Sequence, residues 1–152
     1  MKAVRRERQC VVSGVTAGDL PEHWLFDLDG CLVDSFAGTE LRPYALDVLV
    51  ALRQADHRVE IWSAGGAEYA ERVARRVGIH DVIHGYWTKE RGKDGKWSLP
   101  AATAGRTVVC VDDQPEGIPA GPRQIPVFPY LGRNDHDAAL LPILDGLRGE
   151  TA

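Results

Sequence analysis

No uninterrupted apolar run in this 152-residue chain approaches the length needed to cross a membrane. The opening stretch MKAVRRERQ also lacks the apolar segment that a signal peptide requires. Cysteine is scarce and odd in number. Of Cys10, Cys31 and Cys110, two fall in or beside expected strands, which suits buried thiols in a reducing compartment rather than a disulfide framework. Positive charge is not in excess either: 18 Lys and Arg stand against 22 Asp and Glu, a net charge of -4. The surface as a whole therefore has no pull on nucleic acid or anionic membrane, and a nucleic-acid partner needs a local patch. Repeats and low-complexity tracts are missing. The expectation is a soluble, cytoplasmic protein. With 44% hydrophobic residues, residues 1–152 are long enough for a single domain with its own core.

Short apolar runs alternate with helical patterns, the signature of βαβ units and a parallel sheet. Five strands are expected, at HWLFDL (23–28), RVEIW (58–62), DVIHGY (81–86), TVVCV (107–111) and IPVF (125–128). Pro43 opens a helical pattern carried by Leu46, Leu49, Val50 and Leu52. A second pattern runs through Ala70, Val73, Ala74 and Val77, with Gly78 placed to close the helix. Only a short helix is expected within 88–106, and four prolines and two glycines between Pro115 and Pro126 exclude a continuous one there. In DHDAALLPILDGL, Asp135 is a candidate N-cap and Pro142 should kink or split the helix. Residues 1–22 form an extension with one potential extra strand, CVVSGV, and a basic start (Lys2, Arg5, Arg6, Arg8) that reads as a disordered tail.

Chemistry concentrates where the expected strands end. In LFDLDGCLVDS, Asp27 and Asp29 project together if the strand continues, and Gly30 lets the chain turn at once. Two like charges this close at the end of a core strand need a proton or a cation between them. A DG dipeptide is also an ordinary turn, so the remaining strand ends carry the weight. The fourth strand ends in Asp112-Asp113, at the edge where a parallel sheet places its ligand crevice. The second ends in Ser63, followed by Ala64, Gly65 and Gly66 at a helix N-terminus, a ready oxyanion site. Lys96 lies 16 positions before Asp112, with Lys93 and Lys89 as alternatives in the same segment.

This order has one chemical sense. Mg²⁺ takes oxygen ligands, few of them carboxylates, and a substrate phosphate in the rest of its shell. Asp27 and Asp112 supply the carboxylates, Asp27 attacks the phosphorus to give an aspartyl-phosphate, and Asp29 protonates the leaving oxygen and later activates water. Ser63 and Lys96 neutralise the phosphoryl oxygens.

At these residues the chain resembles the haloacid dehalogenase (HAD) superfamily of phosphohydrolases, whose four motifs match FDLDGCLVDS, VEIWSAG, Lys96 and VVCVDD in order, over about residues 24 to 148. The resemblance implies an α/β, Rossmann-like fold: a central parallel sheet of five strands in the order 5-4-1-2-3, with helices on both faces. It also implies that Mg²⁺ takes the backbone carbonyl of Asp29 and that Asp113 acts through a water. LRPYALDVLVALRQADHRVEIWSAGGAEYAERVA, the VDDQPEG turn and IPVFPYLGRNDHDAALLPIL are similar to the capless branch, which holds FCP/SCP-like phosphatases and polynucleotide 3′-phosphatases. The chain departs from the former, which read DxDET where DxDGC stands here, and Cys31 replaces the usual threonine.

Spacing agrees that no cap is present. Ser63 lies 33 positions after Gly30 and Lys96 the same distance after Ser63, already filled by a helix and a strand. An open site admits a bulky phosphate, such as a phosphoprotein tail or a nucleic-acid end. WTKERGKDGKW (87–97), with four basic residues between Trp87 and Trp97, is either a flap that stacks bases or a solvated loop whose indoles pack on the core. Two other readings compete: a catalytically weak phosphate-binding scaffold, and a receiver-like phospho-acceptor domain, whose acidic pair lies on its first strand rather than a late one. Cys31 is either an oxidant-sensitive thiol or a small residue packed at the turn.

Overall fold

The computed structural model describes residues 20–151. Cys10, the CVVSGV stretch and the basic start lie outside the described residues. Among these residues, seven strands and three α-helices follow in the order β1 (His23–Phe26), α1 (Ala45–Gln54), β2 (Arg58–Ser63), α2 (Ala67–Val77), β3 (Gly85–Thr88), β4 (Glu90–Arg91), β5 (Trp97–Ser98), β6 (Val108–Asp112), β7 (Arg123–Pro126) and α3 (Leu141–Thr151). Five form a parallel sheet in the order β3-β2-β1-β6-β7, and β4-β5 is a separate antiparallel hairpin. This is the expected order, read from the other edge. Among the described residues no domain is inserted over the strand ends, and no helix is long and apolar enough to cross a membrane.

Handedness distributes the connections. β1→β2→β3 steps in one direction along the sheet, whereas β3→β6→β7 steps in the other, so right-handed crossovers lie on opposite faces. One face carries all three α-helices. There Trp24, Phe26, Val59, Ile61, Val109 and Val111 pack against Val48, Leu49 and Leu52 of α1, Ala70 and Val73 of α2, and Ile143 and Leu144 of α3. Among the described residues the other face has the hairpin and the 3-10 turns at Ala101–Thr103 and Pro115–Gly117, whose surroundings bury Leu25, Trp62, Val108, Cys110 and Ile118 with Trp87, Trp97 and Leu99.

Several local expectations are corrected. The buried stripe of α1 is Ala45, Val48, Leu49 and Leu52, with Leu46 exposed, so the helix is rotated from the stripe suggested by the leucines. In the expected third strand, His80–Val82 is a 3-10 turn and the strand follows at Gly85–Thr88, because GYWT pairs residue by residue with Glu60–Ser63. The last sheet strand likewise sits two residues earlier, at Arg123–Pro126. Asp135 caps no helix. α3 starts at Leu141, which puts Pro142 in the first turn, where its missing N–H costs nothing and no kink arises. Gly78 does close α2, in the left-handed region at φ 86°.

Candidate active site

The carboxyl edge of the sheet gathers acidic residues from separate strands. Phe26 pairs with Val111, and the Asp27 N–H still donates to the Val111 carbonyl at 2.9 Å, so Asp27 and Asp112 leave the sheet side by side. One carboxylate oxygen from each of Asp27, Asp112 and Asp113 lies within 4.8 Å of the others. Gly30 makes this approach achievable. Its φ is 82°, and a Cβ there would stand 2.5 Å from Asp113 Oδ2 and 2.8 Å from Ser35 Oγ.

The cation in this cluster is Lys89, one residue past β3. Its Nζ donates to Asp112 Oδ2 at 2.7 Å and to Asp27 Oδ1 at 3.1 Å, and its N–H holds the Ser63 carbonyl at 2.9 Å. The ammonium sits between two indoles, 5.4 Å from the Trp62 ring centroid and 5.7 Å from that of Trp97. Arg91 lies over Trp97 at 4.1 Å. Burial opposes the charge on Lys89, but Asp27 and Asp112 outweigh it and hold its pKa above the usual lysine value.

Lys96 is not brought to the carboxylates. Its Nζ donates to the Glu116 carbonyl at 3.0 Å on the exposed side of the hairpin, and Lys93 is exposed at the hairpin turn. Of the three lysines weighed for the phosphate, Lys89 is the one whose ammonium reaches the carboxylates, and Lys96 and Lys93 do not. The signal available for it is its position directly after the third strand, whose end the sequence pattern places two residues too early.

Burial, and after it the Asp112 carboxylate, pushes the pKa of Asp27 well above the ordinary carboxylate range, and burial raises that of Asp112. Three carboxylates meet one ammonium here. The charge excess is carried entirely by hard oxygen donors, a set that fits Mg²⁺.

Asp29 is engaged elsewhere. Its Oδ1 accepts a 2.8 Å hydrogen bond from the Tyr69 hydroxyl of α2, so the two acids of the DxD motif are held by different elements. Its carboxylate is not part of the three-aspartate cluster. Burial raises the Asp29 pKa against the opposing Tyr69 bond. Burial and then Asp29 push Tyr69 up to about 12, which keeps its hydroxyl a donor.

Ser63 ends β2 buried at the same edge, its Oγ accepting the Gly65 N–H at 3.1 Å, with Ala64 and Gly65 exposed beside it. A Cβ on Gly65 would meet Tyr69 Cδ2 at 2.8 Å, so glycine here admits the tyrosine that reaches Asp29.

Loop 34–40 is held by Asp34, whose carboxylate accepts the N–H groups of Ala37, Gly38, Thr39 and Glu40 at 2.8 to 3.2 Å. Burial alone would raise its pKa; these four bonds bring it below the usual value. Arg42 is a buried tie, donating to the carbonyls of Gly30, Cys31 and Phe128 and pairing with Asp137, while Arg133 stays at the surface. Cys31 is fully buried, its Sγ 3.5 Å from the Val111 carbonyl, and burial pushes its thiol pKa well up, which makes it a packing residue.

The sequence model of the family described as NLI interacting factor-like phosphatase matches residues 23–152. No curated protein matches the chain.

Proposed function

The chain belongs to the NLI interacting factor-like phosphatases, a capless HAD-like family, and from that premise we propose that this phosphatase is a Mg²⁺-dependent phosphomonoesterase with Asp27 as its nucleophile. Asp27, Asp112 and Asp113, with the Asp29 carbonyl, would hold the Mg²⁺, which supplies positive charge against a phosphate dianion. An Asp27 oxygen attacks phosphorus, the bond to the leaving oxygen breaks, and Asp29 gives that oxygen its proton. Asp29, now a carboxylate, takes a proton from water, the water oxygen attacks the aspartyl-phosphate, and inorganic phosphate leaves Asp27.

Burial moves the pKa of Asp29 upward, the direction a general acid needs, and the Tyr69 bond orients it. Lys89 has three donors and spends two on Asp27 and Asp112, leaving one for a phosphoryl oxygen. In the Ser63–Gly65 bond the serine oxygen is the acceptor, so the hydroxyl proton remains for a second phosphoryl oxygen, beside the N–H of Ala64.

The observation that carries this reading is the meeting of Asp27, Asp112 and Lys89 from three strand ends, at 2.7 and 3.1 Å. Asp27→Asn should abolish phosphate release, and beryllofluoride with Mg²⁺ should trap one equivalent on the wild type and none on the variant. Near-wild-type turnover in Asp27→Asn would reassign the nucleophile. The missing cap supports a bulky substrate, a phosphoprotein or a nucleic-acid end, acted on in the cytoplasm, where the buried, unpaired Cys31 and Cys110 stay reduced. Comparing kcat/KM for a phosphopeptide, a 3′-phosphorylated oligonucleotide and a sugar phosphate tests this; preference for the sugar phosphate removes it.

A further inference from the structure

Helix α2 brings a second residue to the surroundings of Asp29. Arg76 lies two turns after Tyr69 on the same flank of the helix, and its Nη2 donates to the Gly38 carbonyl at 2.7 Å and to the Ala37 carbonyl at 3.3 Å. Among the described residues this guanidinium pairs with no carboxylate. The four bonds of Asp34 give loop 34–40 its internal shape, whereas the two from Arg76 seat that loop on α2.

Gly38 marks the point where these groups meet. A Cβ there would stand 3.1 Å from Tyr69 Oη, 3.5 Å from Arg76 Nη2 and 3.6 Å from Asp29 Oδ1, and its φ is 65°. The bare backbone of Gly38 thus closes over the tyrosine–aspartate bond. A carboxylic acid donates from one oxygen and accepts at the other. Tyr69 donates to Asp29 Oδ1 at 2.8 Å, and among the described residues Oδ2 has no hydrogen-bond partner. The proton of the acid therefore belongs on Oδ2. When it passes to the leaving oxygen, the electron pair of the broken O–H bond stays on Asp29, and the new charge strengthens the bond from Tyr69. An interaction that grows as the proton moves assists the step.

We infer that Tyr69 and Arg76 are positioning residues for leaving-group protonation. Tyr69 keeps Oδ1 occupied so that Oδ2 delivers the proton, and Arg76, through the Gly38 backbone, keeps the tyrosine hydroxyl in place. The inference rests on the assignment of Asp29 as the general acid and extends it to a helix face outside the acidic cluster.

The test compares p-nitrobenzyl phosphate with p-nitrophenyl phosphate, esters of similar size, in the presence of Mg²⁺. The first releases an alcohol oxygen that needs a proton, the second a stabilised phenolate that does not. Because kcat/KM reports the steps through formation of the aspartyl-phosphate, the later base role of Asp29 does not enter the comparison. Asp29→Asn should lower the benzyl-to-phenyl ratio of kcat/KM by about a hundredfold. Tyr69→Phe, which keeps the ring, should lower it by about tenfold, and Arg76→Ala by about fivefold, with Arg76→Lys restoring most of the loss. A side chain that only shapes the fold would reduce both esters alike and leave the ratio at its wild-type value. An unchanged ratio in Tyr69→Phe and Arg76→Ala, beside a collapsed one in Asp29→Asn, overturns the inference and leaves the general acid in place. A drop in Tyr69→Phe alone overturns the part given to Arg76. An unchanged ratio in Asp29→Asn, or no turnover of either ester by the wild type, overturns the assignment of Asp29 and the inference with it.

Discussion

Toward its helices the sheet buries Trp24, Phe26, Val59, Ile61, Val109 and Val111, whereas the alternate side chains of the same strands, facing the hairpin, include His23, Glu60 and Asp112. On that second face Glu60 takes hydrogen bonds from Arg58 at 2.8 Å and Trp87 at 2.6 Å and pairs with His23 at 2.7 Å. His23 Nδ1 and Trp62 Nε1 are buried there without a partner. Such a face is expensive, since a well-packed apolar one of equal volume is usually at least as stable. The helical face holds the sheet together. The hairpin face instead spends stability on indoles and charges that surround Lys89 and the acids it pairs with, and it is the face along which the carboxylates of Asp27 and Asp112 leave the sheet.

The sharpest way to break this comparison is within the hairpin face itself. Lys89→Ala should lower kcat/KM by about a hundredfold to a thousandfold, while Lys96→Ala stays within about twofold of wild type. The reverse order would return the phosphate to Lys96. Between the faces, Leu49→Ala in α1 should cost about 2 to 5 kcal/mol in denaturant unfolding and leave the activity of the folded fraction intact.

Glu60→Gln should cost roughly 3 kcal/mol by stripping a buried group from its charged partners, and it should also remove a pH dependence. Burial would raise the Glu60 pKa, but the His23 and Trp87 bonds dominate and lower it from 4.5 to about 2. A pKa depressed by folding gives stability that is complete above about 4.5 and is lost as the pH falls toward 2. The melting temperature of the wild type should therefore drop across that window more steeply than that of Glu60→Gln, and parallel slopes would remove the ion pair from the account.

A smaller effect is expected at Trp97, whose edge is seated against Gly117, where a Cβ would lie 2.8 Å from Nε1. Trp97→Leu should raise the inhibition constant for inorganic phosphate several-fold by loosening the Lys89 ammonium, with Trp97→Phe close to wild type. Equal values for the two variants would make the indole mere packing. Least of all should change with oxidant or thiol reagents, because Cys31 is closed off; rapid labelling of Cys31 in the native protein would contradict the burial found.

Much of this was legible without coordinates, at particular places. Asp27, Asp112 and Asp113 announced themselves by following short apolar runs, and Ala70, Val73 and Ala74 marked the buried side of α2 by their spacing. Legibility failed where periodicity was ambiguous or where a partner decided. DVIHGY looks like a strand, yet its first residues form a 3-10 turn, and the edge of β2 takes up the segment only from the His84 N–H, which donates to the Val59 carbonyl at 2.8 Å. Trp87 and Trp97 read either as base-stacking groups or, more readily, as indoles packed on the core, and the bond from Trp87 to Glu60 and the contact of Trp97 with Lys89 place both toward the sheet.

What the sequence alone determined is the alternation of strands and helices, hence a parallel sheet whose carboxyl edge collects the acids that end its strands; both follow from short-range period and turn chemistry. Only the tertiary structure decided which lysine meets those acids and which face carries the helices. A flexible side chain's place depends on the path of an irregular segment folded back over the sheet, and that path is set by handedness and by contacts between residues far apart in the chain.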